Sequence, residues 1–552
     1  MSTVLSAATP HPSARQARTC VARGGALLLA GAVIVPLLVL GLAWTSPQGE
    51  VWAHLASTVL PGLVRNTLLL LVGVGVGTLV LGTGLAWLTV MYEFPGRRIF
   101  DWALMLPLAV PAYVLAFVAI GLLDFSGPLQ GFLRHVLGPG RYWFPEIRSA
   151  GGVVAVMVLA LYPYVYLLAR TAFLAQGRST LEAARTLGLS ARAAFFRVGL
   201  PMARPAITAG VVLALMETLA DFGAVAAFNY DTFTTAIYKA WFGLFSLQAA
   251  AQLATLLLVF VAAALALERW SRGRGRFDSA GRRASDHRLR LSRAKGWLAA
   301  GLAGTVLALG FLIPLAQLAL WAWGVLGEDL DARYLALLEH TMGLAGGAAL
   351  VIVAAAFLLS YTTRHCPAAS VTLAVRAATL GYALPGSVLA VGVMISFTWL
   401  DRHLSAALEG WLGGPSGPLL SGSLLGLLLA YLVRFMAVAF GPVDSALEQV
   451  RPILSEAARN LGASRARILR QIYLPLLRPG LLAAMLLVFV EVMKEMPATL
   501  LLRPFGWDTL AVRVYELTSE GEWQRAALPA VALVLVGLIP VVMLVRRAGA
   551  RA

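Results

Sequence analysis

Two apolar stretches of this chain carry ionisable residues that could do chemistry. The first reads Met216-Glu217-Thr218-Leu219-Ala220-Asp221-Phe222-Gly223, and the second Val490-Glu491-Val492-Met493-Lys494-Glu495-Met496-Pro497. In each, two acids stand at i and i+4, a spacing that predicts one shared helix face. Ionisable groups at membrane depth are costly and face a pathway or a partner. Carboxylates are hard oxygen ligands and suit a hard cation such as ferric iron. A second reading stays open beside this one. Glu491 or Glu495 pairs with Lys494, and Glu217 satisfies backbone at a helix break near Gly223. No catalytic set accompanies these acids. A nucleotide-binding Walker A loop needs Gly-Lys-Ser/Thr, whereas Lys239, Lys295 and Lys494 are the only lysines and none follows a glycine. No His/Cys cluster has metal-ligand spacing, and no Gly-x-Ser-x-Gly elbow occurs. The expectation is a chain with no catalytic residue, no resident metal site and no cofactor of its own.

A second pattern is a polar loop that occurs twice. The first copy is Glu182-Ala183-Ala184-Arg185-Thr186-Leu187-Gly188-Leu189-Ser190, with Leu200-Pro201 beyond it. The second is Glu456-Ala457-Ala458-Arg459-Asn460-Leu461-Gly462-Ala463-Ser464, with Leu474-Pro475 beyond it. Glu-Ala-Ala-Arg-x-Leu favours helix. The glycine permits the left-handed turn that ends it, and the serine N-caps the next helix. Pro201 and Pro475 are expected to stop that second helix before the next membrane span. A helix-turn-helix could read DNA, but this one lies between membrane spans and occurs once per half, so no nucleic-acid partner is expected.

The elements that must position these residues follow from composition. Of 552 residues, 59% are apolar and 13% charged, and the mean hydropathy is +0.79. Typical soluble chains carry roughly 25% charge. Apolar runs of 20 residues or more exclude a soluble fold, disorder, collagen and coiled coil. Two cysteines, Cys20 and Cys366, exclude a disulfide scaffold. The fold class is an all-α polytopic membrane protein. Twelve spans are expected, at 24–44, 66–90, 100–123, 150–174, 205–229, 246–268, 297–323, 340–361, 372–400, 421–441, 479–503 and 526–546. With the N-terminus in the cytoplasm, cytoplasmic segments hold most of the 44 lysines and arginines and a minority of the 27 acids. The positive-inside rule therefore puts both termini in the cytoplasm. The net charge of +17 comes largely from such loops, above all the linker 269–296 with Arg269, Arg272, Arg274, Arg276, Arg282 and Lys295. That linker fixes topology, or binds anionic lipid headgroups of the membrane.

The chain repeats at an offset of 274. Asn66-Thr67 falls on His340-Thr341, Pro111 on Pro385 and Glu217 on Glu491. Segments 182–205 and 456–479 share 11 of 24 positions without a gap. Each half has six spans, an even number, so the halves share one orientation and relate by a pseudo-two-fold axis along the membrane normal. The expected organisation is an N-terminal segment, first span and external loop at 1–59 and a first transmembrane domain at 60–268. The basic linker 269–296 follows, then span 7 with its loop at 297–335, a second domain at 336–546 and a tail at 547–552.

The spacing of Glu-Ala-Ala, glycine and Leu-Pro resembles the signature loop of permease subunits of binding-protein-dependent ABC importers (type I), here fused as two permeases over roughly 60–268 and 336–546. The resemblance implies that Glu182, Ala183, Ala184, Gly188 and Pro201, and Glu456, Ala457, Ala458, Gly462 and Pro475, belong to loops that fit clefts on two cytosolic ATPase subunits, where ATP is bound and burned. It also implies a periplasmic binding protein and a bacterial inner-membrane location. The acidic strings, with Asp231 to Tyr238, Leu501-Leu502-Arg503-Pro504-Phe505-Gly506 and Asp508 to Tyr515, are similar to those of ferric-iron permeases. On that resemblance Glu217, Asp221, Glu491 and Glu495 line or gate the path, and the binding protein carries iron. Fused thiamine permeases share the architecture. A twelve-span secondary transporter of the major-facilitator type is the alternative class, but loop Tyr92-Glu93-Phe94-Pro95-Gly96-Arg97-Arg98 lacks its Asp-Arg core.

Overall fold

The computed structural model describes residues 12–45, 49–138, 142–272, 288–365, 368–412 and 419–549. Linker residues Arg274, Arg276 and Arg282 lie outside them, as do the side chains of Arg269 and Arg272. Eleven helices are long and apolar enough to cross a membrane, and a twelfth span is counted if the bent pair Ala369–Ala383 and Gly386–Ser405 is one. Large apolar side chains are exposed along their outer faces. Leu68, Leu69, Val72, Val76, Leu79 and Val80 form one such stripe on span 2, as lipid contact requires.

Lipid tails are as apolar as leucine, so helices associate by close packing more than by the hydrophobic effect. Gly73 and Gly77, four residues apart on span 2, face Val154 and Val158 of span 4. A Cβ at Gly77 would lie 2.4 Å from the valine side chain. The small residues therefore set how near these two helices come. Span 1 crosses over to pack on helices Ala369–Thr379 and Gly386–Leu412 of the second half. Span 7 reciprocates: it packs on the last helix, Trp523–Gly549, and on the first-half segments Leu106–Ala109 and Ala112–Leu123. The halves are thus clasped by exchanged helices.

Three features depart from twelve plain spans. Spans 3 and 9 are broken rather than continuous. The first half has a helix Arg97–Ala103, a 3-10 turn Leu106–Ala109 and a helix Ala112–Leu123. The second has Ala369–Thr379, a 3-10 turn Leu380–Ala383 and Gly386–Leu412, with a bend of 119°. Pro111 and Pro385 explain both elbows, because each lacks an N–H and forces its predecessor out of the helical region. Val110 N–H then donates to the Pro107 carbonyl at 3.0 Å, and Leu384 N–H to Gly381 at 3.1 Å. Secondly, spans 5 and 11 end early, at Ala220 and Lys494. Thirdly, Pro201 and Pro475 stop nothing. Each follows a π-helical turn, Phe195–Gly199 or Leu469–Tyr473, and stands at the start of the α-helix that continues as the span. A first-turn proline loses no hydrogen bond; the wider turn before it hands the chain on without a stop.

The described residues contain a single pair of strands. Tyr92-Glu93 lies parallel to Leu289-Arg290, which ties the end of the linker to the loop between spans 2 and 3.

Candidate translocation path and coupling loops

Glu217, Asp221, Glu491 and Glu495 all line one cavity of about 150 Å³ between the halves, with Tyr113, Tyr164, Arg434, Lys494 and Met496. The predicted i,i+4 helix face is not what brings each pair together. Asp221 and Glu495 stand just past their helices with extended backbone, ψ 133° and 114°. Each then caps the short helix that follows. The Asp221 carboxylate accepts from the N–H groups of Ala224 and Val225 at 3.0 and 3.1 Å. Glu495 accepts from Ala498 N–H at 3.0 Å. An acid at a helix N-terminus satisfies an orphan donor and opposes the positive end of the helix dipole. The break thus turns the second acid of each pair into a cap and leaves Glu217 and Glu491 in the last turn of their spans.

The cations are placed differently from either pairing considered above. Lys494 forms no ion pair with Glu491 or Glu495. Its Nζ donates to the carbonyl of Leu108, in the other half, at 3.1 Å. Glu495 pairs instead with Arg434 at 3.0 Å, and both side chains are largely buried, 4% and 13% exposed. Glu217 does not serve the break near Gly223; Asp221 does. Glu217 accepts from the Tyr382 hydroxyl at 3.4 Å. Arg434 was missed in the sequence reading, although an arginine inside span 10 (421–441) is itself a signal that something must compensate it. No three acidic, histidine or cysteine side chains among the described residues are close enough to hold a metal ion. The four acids therefore share a cavity without forming a chelate.

The paired loops repeat each other bond for bond. Gly188 and Gly462 both have positive φ, 89° and 75°. Leu189 N–H donates to Ala184 at 3.1 Å and Ala463 N–H to Ala458 at 2.9 Å. The Ser190 and Ser464 hydroxyls accept from Ala193 and Arg467 N–H at 3.2 and 3.3 Å. Glu456 and Ala457 are exposed and Ala458 half-buried. Leu187 and Leu461 are 84% and 88% exposed. Glu182 and Ala183 lie on the backbone of helix Ala150–Thr186, with side chains outside the description. Pro201 and Pro475 open the span helices beyond. Span 4 runs unbroken into the first loop, whereas Pro452, which falls on Arg178, starts a separate helix Pro452–Asn460 in the second.

A bundle of two clasped, pseudo-equivalent halves around a charged central cavity is the architecture of a membrane permease. The family model described as "Binding-protein-dependent transport system inner membrane component" matches residues 78–271 and 372–510. The chain belongs to this family: it is a multi-pass inner-membrane protein, the fused two-domain permease of a type I ABC importer, and not an enzyme. ATP hydrolysis belongs to separate subunits, and the major-facilitator alternative is overturned.

Among its relatives is the Fe(3+)-transport system permease protein FbpB 2 of Haemophilus influenzae, 29% identical over 87% of this chain and 89% of that one. The sulfate transport system permease protein CysW of Escherichia coli is 33% identical over 36% of this chain and 67% of its own. The molybdate/tungstate transport system permease protein WtpB of Thermococcus kodakarensis is 25% identical over 44% and 91%.

Proposed function

We propose that this permease imports ferric iron handed over by a periplasmic iron-binding protein, and that both its termini are cytoplasmic. The observation that carries this reading is the charge of the cavity. Four carboxylates face two cations, and one of those cations is already paired with Glu495. An excess of buried negative charge favours a cation and repels an oxyanion such as sulfate or molybdate. The end-to-end similarity to an iron permease supports the same cargo. A path that never assembles three acids around one point binds the ion loosely enough to release it, as conduction requires.

The loops at Glu182 and Glu456 dock two cytosolic ATPase subunits. Exposed Leu187, Ile453, Leu454 and Leu461 supply apolar contact on those loops. Nucleotide-driven closure of the ATPases would move both loops, and with them spans 5 and 11, which begin directly after the loops and end at the cavity acids.

The test is uptake of radiolabelled iron, sulfate and molybdate by membrane vesicles holding the permease, its ATPases and its binding protein. Iron uptake that depends on both partners is the expected outcome. Uptake of an oxyanion without iron would sink the iron reading and leave the importer class standing.

A further inference from the structure

Two polar contacts cross between the halves at the cavity, and they occupy equivalent places. Leu108 lies in the 3-10 elbow Leu106–Ala109 and Tyr382 in the elbow Leu380–Ala383. The two residues are 274 positions apart, the offset of the repeat. Each meets the end of the other half's cavity helix. Leu108 offers its carbonyl to Lys494 at 3.1 Å. Tyr382 offers its hydroxyl to Glu217 at 3.4 Å.

The first contact has a local cause. Pro111 has no N–H to return to the carbonyl three residues back, so Leu108 presents a free acceptor at membrane depth. An unmet carbonyl in lipid costs several kcal/mol. Lys494 reaches it because Gly537 leaves room. A Cβ at Gly537 would lie 2.4 Å from the Ala109 carbonyl oxygen and 3.0 Å from Cε of Lys494. The second contact has no backbone to satisfy. It sets a hydroxyl against a carboxylate, again across the interface.

We propose that Lys494 and Tyr382 are the gate residues of this importer: their cross-half contacts, Lys494 to the Leu108 carbonyl and Tyr382 to Glu217, form a two-point latch that holds the path shut until the loops move. For the halves to part at the cavity, the elbow of each must leave the cavity helix of the other. Both contacts must then break. The assignment concerns how the path opens and is independent of the cargo. Arg434, which pairs within its own half, has no place in it.

The experiment uses the complete transporter in nanodiscs, with its ATPases. Cys20 and Cys366 are replaced by serine, and Ala220→Cys places one thiol on the cavity wall. The readout is its rate of modification by a small water-soluble thiol reagent, without binding protein or nucleotide. Loss of a hydrogen bond to a charged group shifts an equilibrium by about 10-fold. Lys494→Met should therefore speed modification about 10-fold, Tyr382→Phe less, and the double variant more than either. ATP hydrolysis without binding protein should rise in the same order. A merely structural role would lower the thermal midpoint and leave modification unchanged. Unchanged modification in both variants overturns the latch. Should Lys494→Met fail to fold, Tyr382→Phe decides alone, since it removes one oxygen and keeps the ring.

Discussion

The two halves share a backbone and differ in charge. Their elbows, broken spans, helix caps and left-handed loop glycines coincide at the repeat offset. Their cavity cations do not. The second half contributes Arg434 and Lys494. The first half has Ala160 and Ala220 at those positions, and both alanines line the same cavity. Asp221 caps a helix with no cation beside it, whereas Glu495 caps one and is also neutralised by Arg434. A path made by two identical permeases would need four such cations or none. Fusion into one chain lets one half supply the positive charge for both. The difference teaches that backbone geometry is held by the repeat, while cavity electrostatics is free to become asymmetric.

The sharpest way to break the comparison is to remove the arginine. Arg434→Met leaves Glu495 buried without a partner, and stranding one member of a buried pair costs about 3–5 kcal/mol. A large fall in thermal midpoint in detergent is expected, with recovery in Arg434→Met/Glu495→Met. The mirror experiment in the first half, Asp221→Asn, removes a charge that has no cation and keeps an oxygen to cap the helix. It should shift stability by less than about 1 kcal/mol. Equal losses from the two variants would erase the asymmetry.

Next in size is the effect on transport. Glu217→Gln with Glu491→Gln should cut iron uptake about 10-fold, the equivalent of about 1.4 kcal/mol, while ATP hydrolysis stimulated by the binding protein persists. Intact uptake in that double variant would assign the acids to structure alone.

The loops test the symmetric side of the comparison. Glu182→Ala and Glu456→Ala should each weaken ATPase binding in a pull-down with a folding cost on the order of 1 kcal/mol. The Glu456 variant should lose more, because its loop is a separate helix held after Pro452 rather than an extension of span 4. Normal assembly and transport in both single variants and in the double would reject the docking role.

The smallest effect expected is a null one. Lys494 answers a backbone carbonyl and not a carboxylate, so Lys494→Met should not rescue Glu495→Gln. A double-mutant cycle between them should give a coupling near zero, within about 0.5 kcal/mol. A coupling well above that would mean that the lysine and the glutamate act as a pair.

Much of this protein is written in one dimension. The membrane class follows from apolar run length, because hydrocarbon thickness fixes how many residues a span needs. The two halves follow from the 274-residue offset, and the loops from glycine and serine at fixed distances after Glu182 and Glu456. Each of these depends only on a residue and its near neighbours in sequence. The elbows at Pro111 and Pro385 were legible in principle, since proline acts on its own backbone. Pro201 and Pro475 show the limit of that rule, because a π turn before each carried the helix past it. What only the tertiary structure decided is which charge meets which. Glu495 found Arg434, 61 positions away in sequence, rather than Lys494 beside it, and Lys494 found a carbonyl in the other half. Neighbours on a helix point about 100° apart, so the residue next in sequence faces elsewhere. The partner of a buried charge is set by the helices packed against it, and those are chosen by the fold.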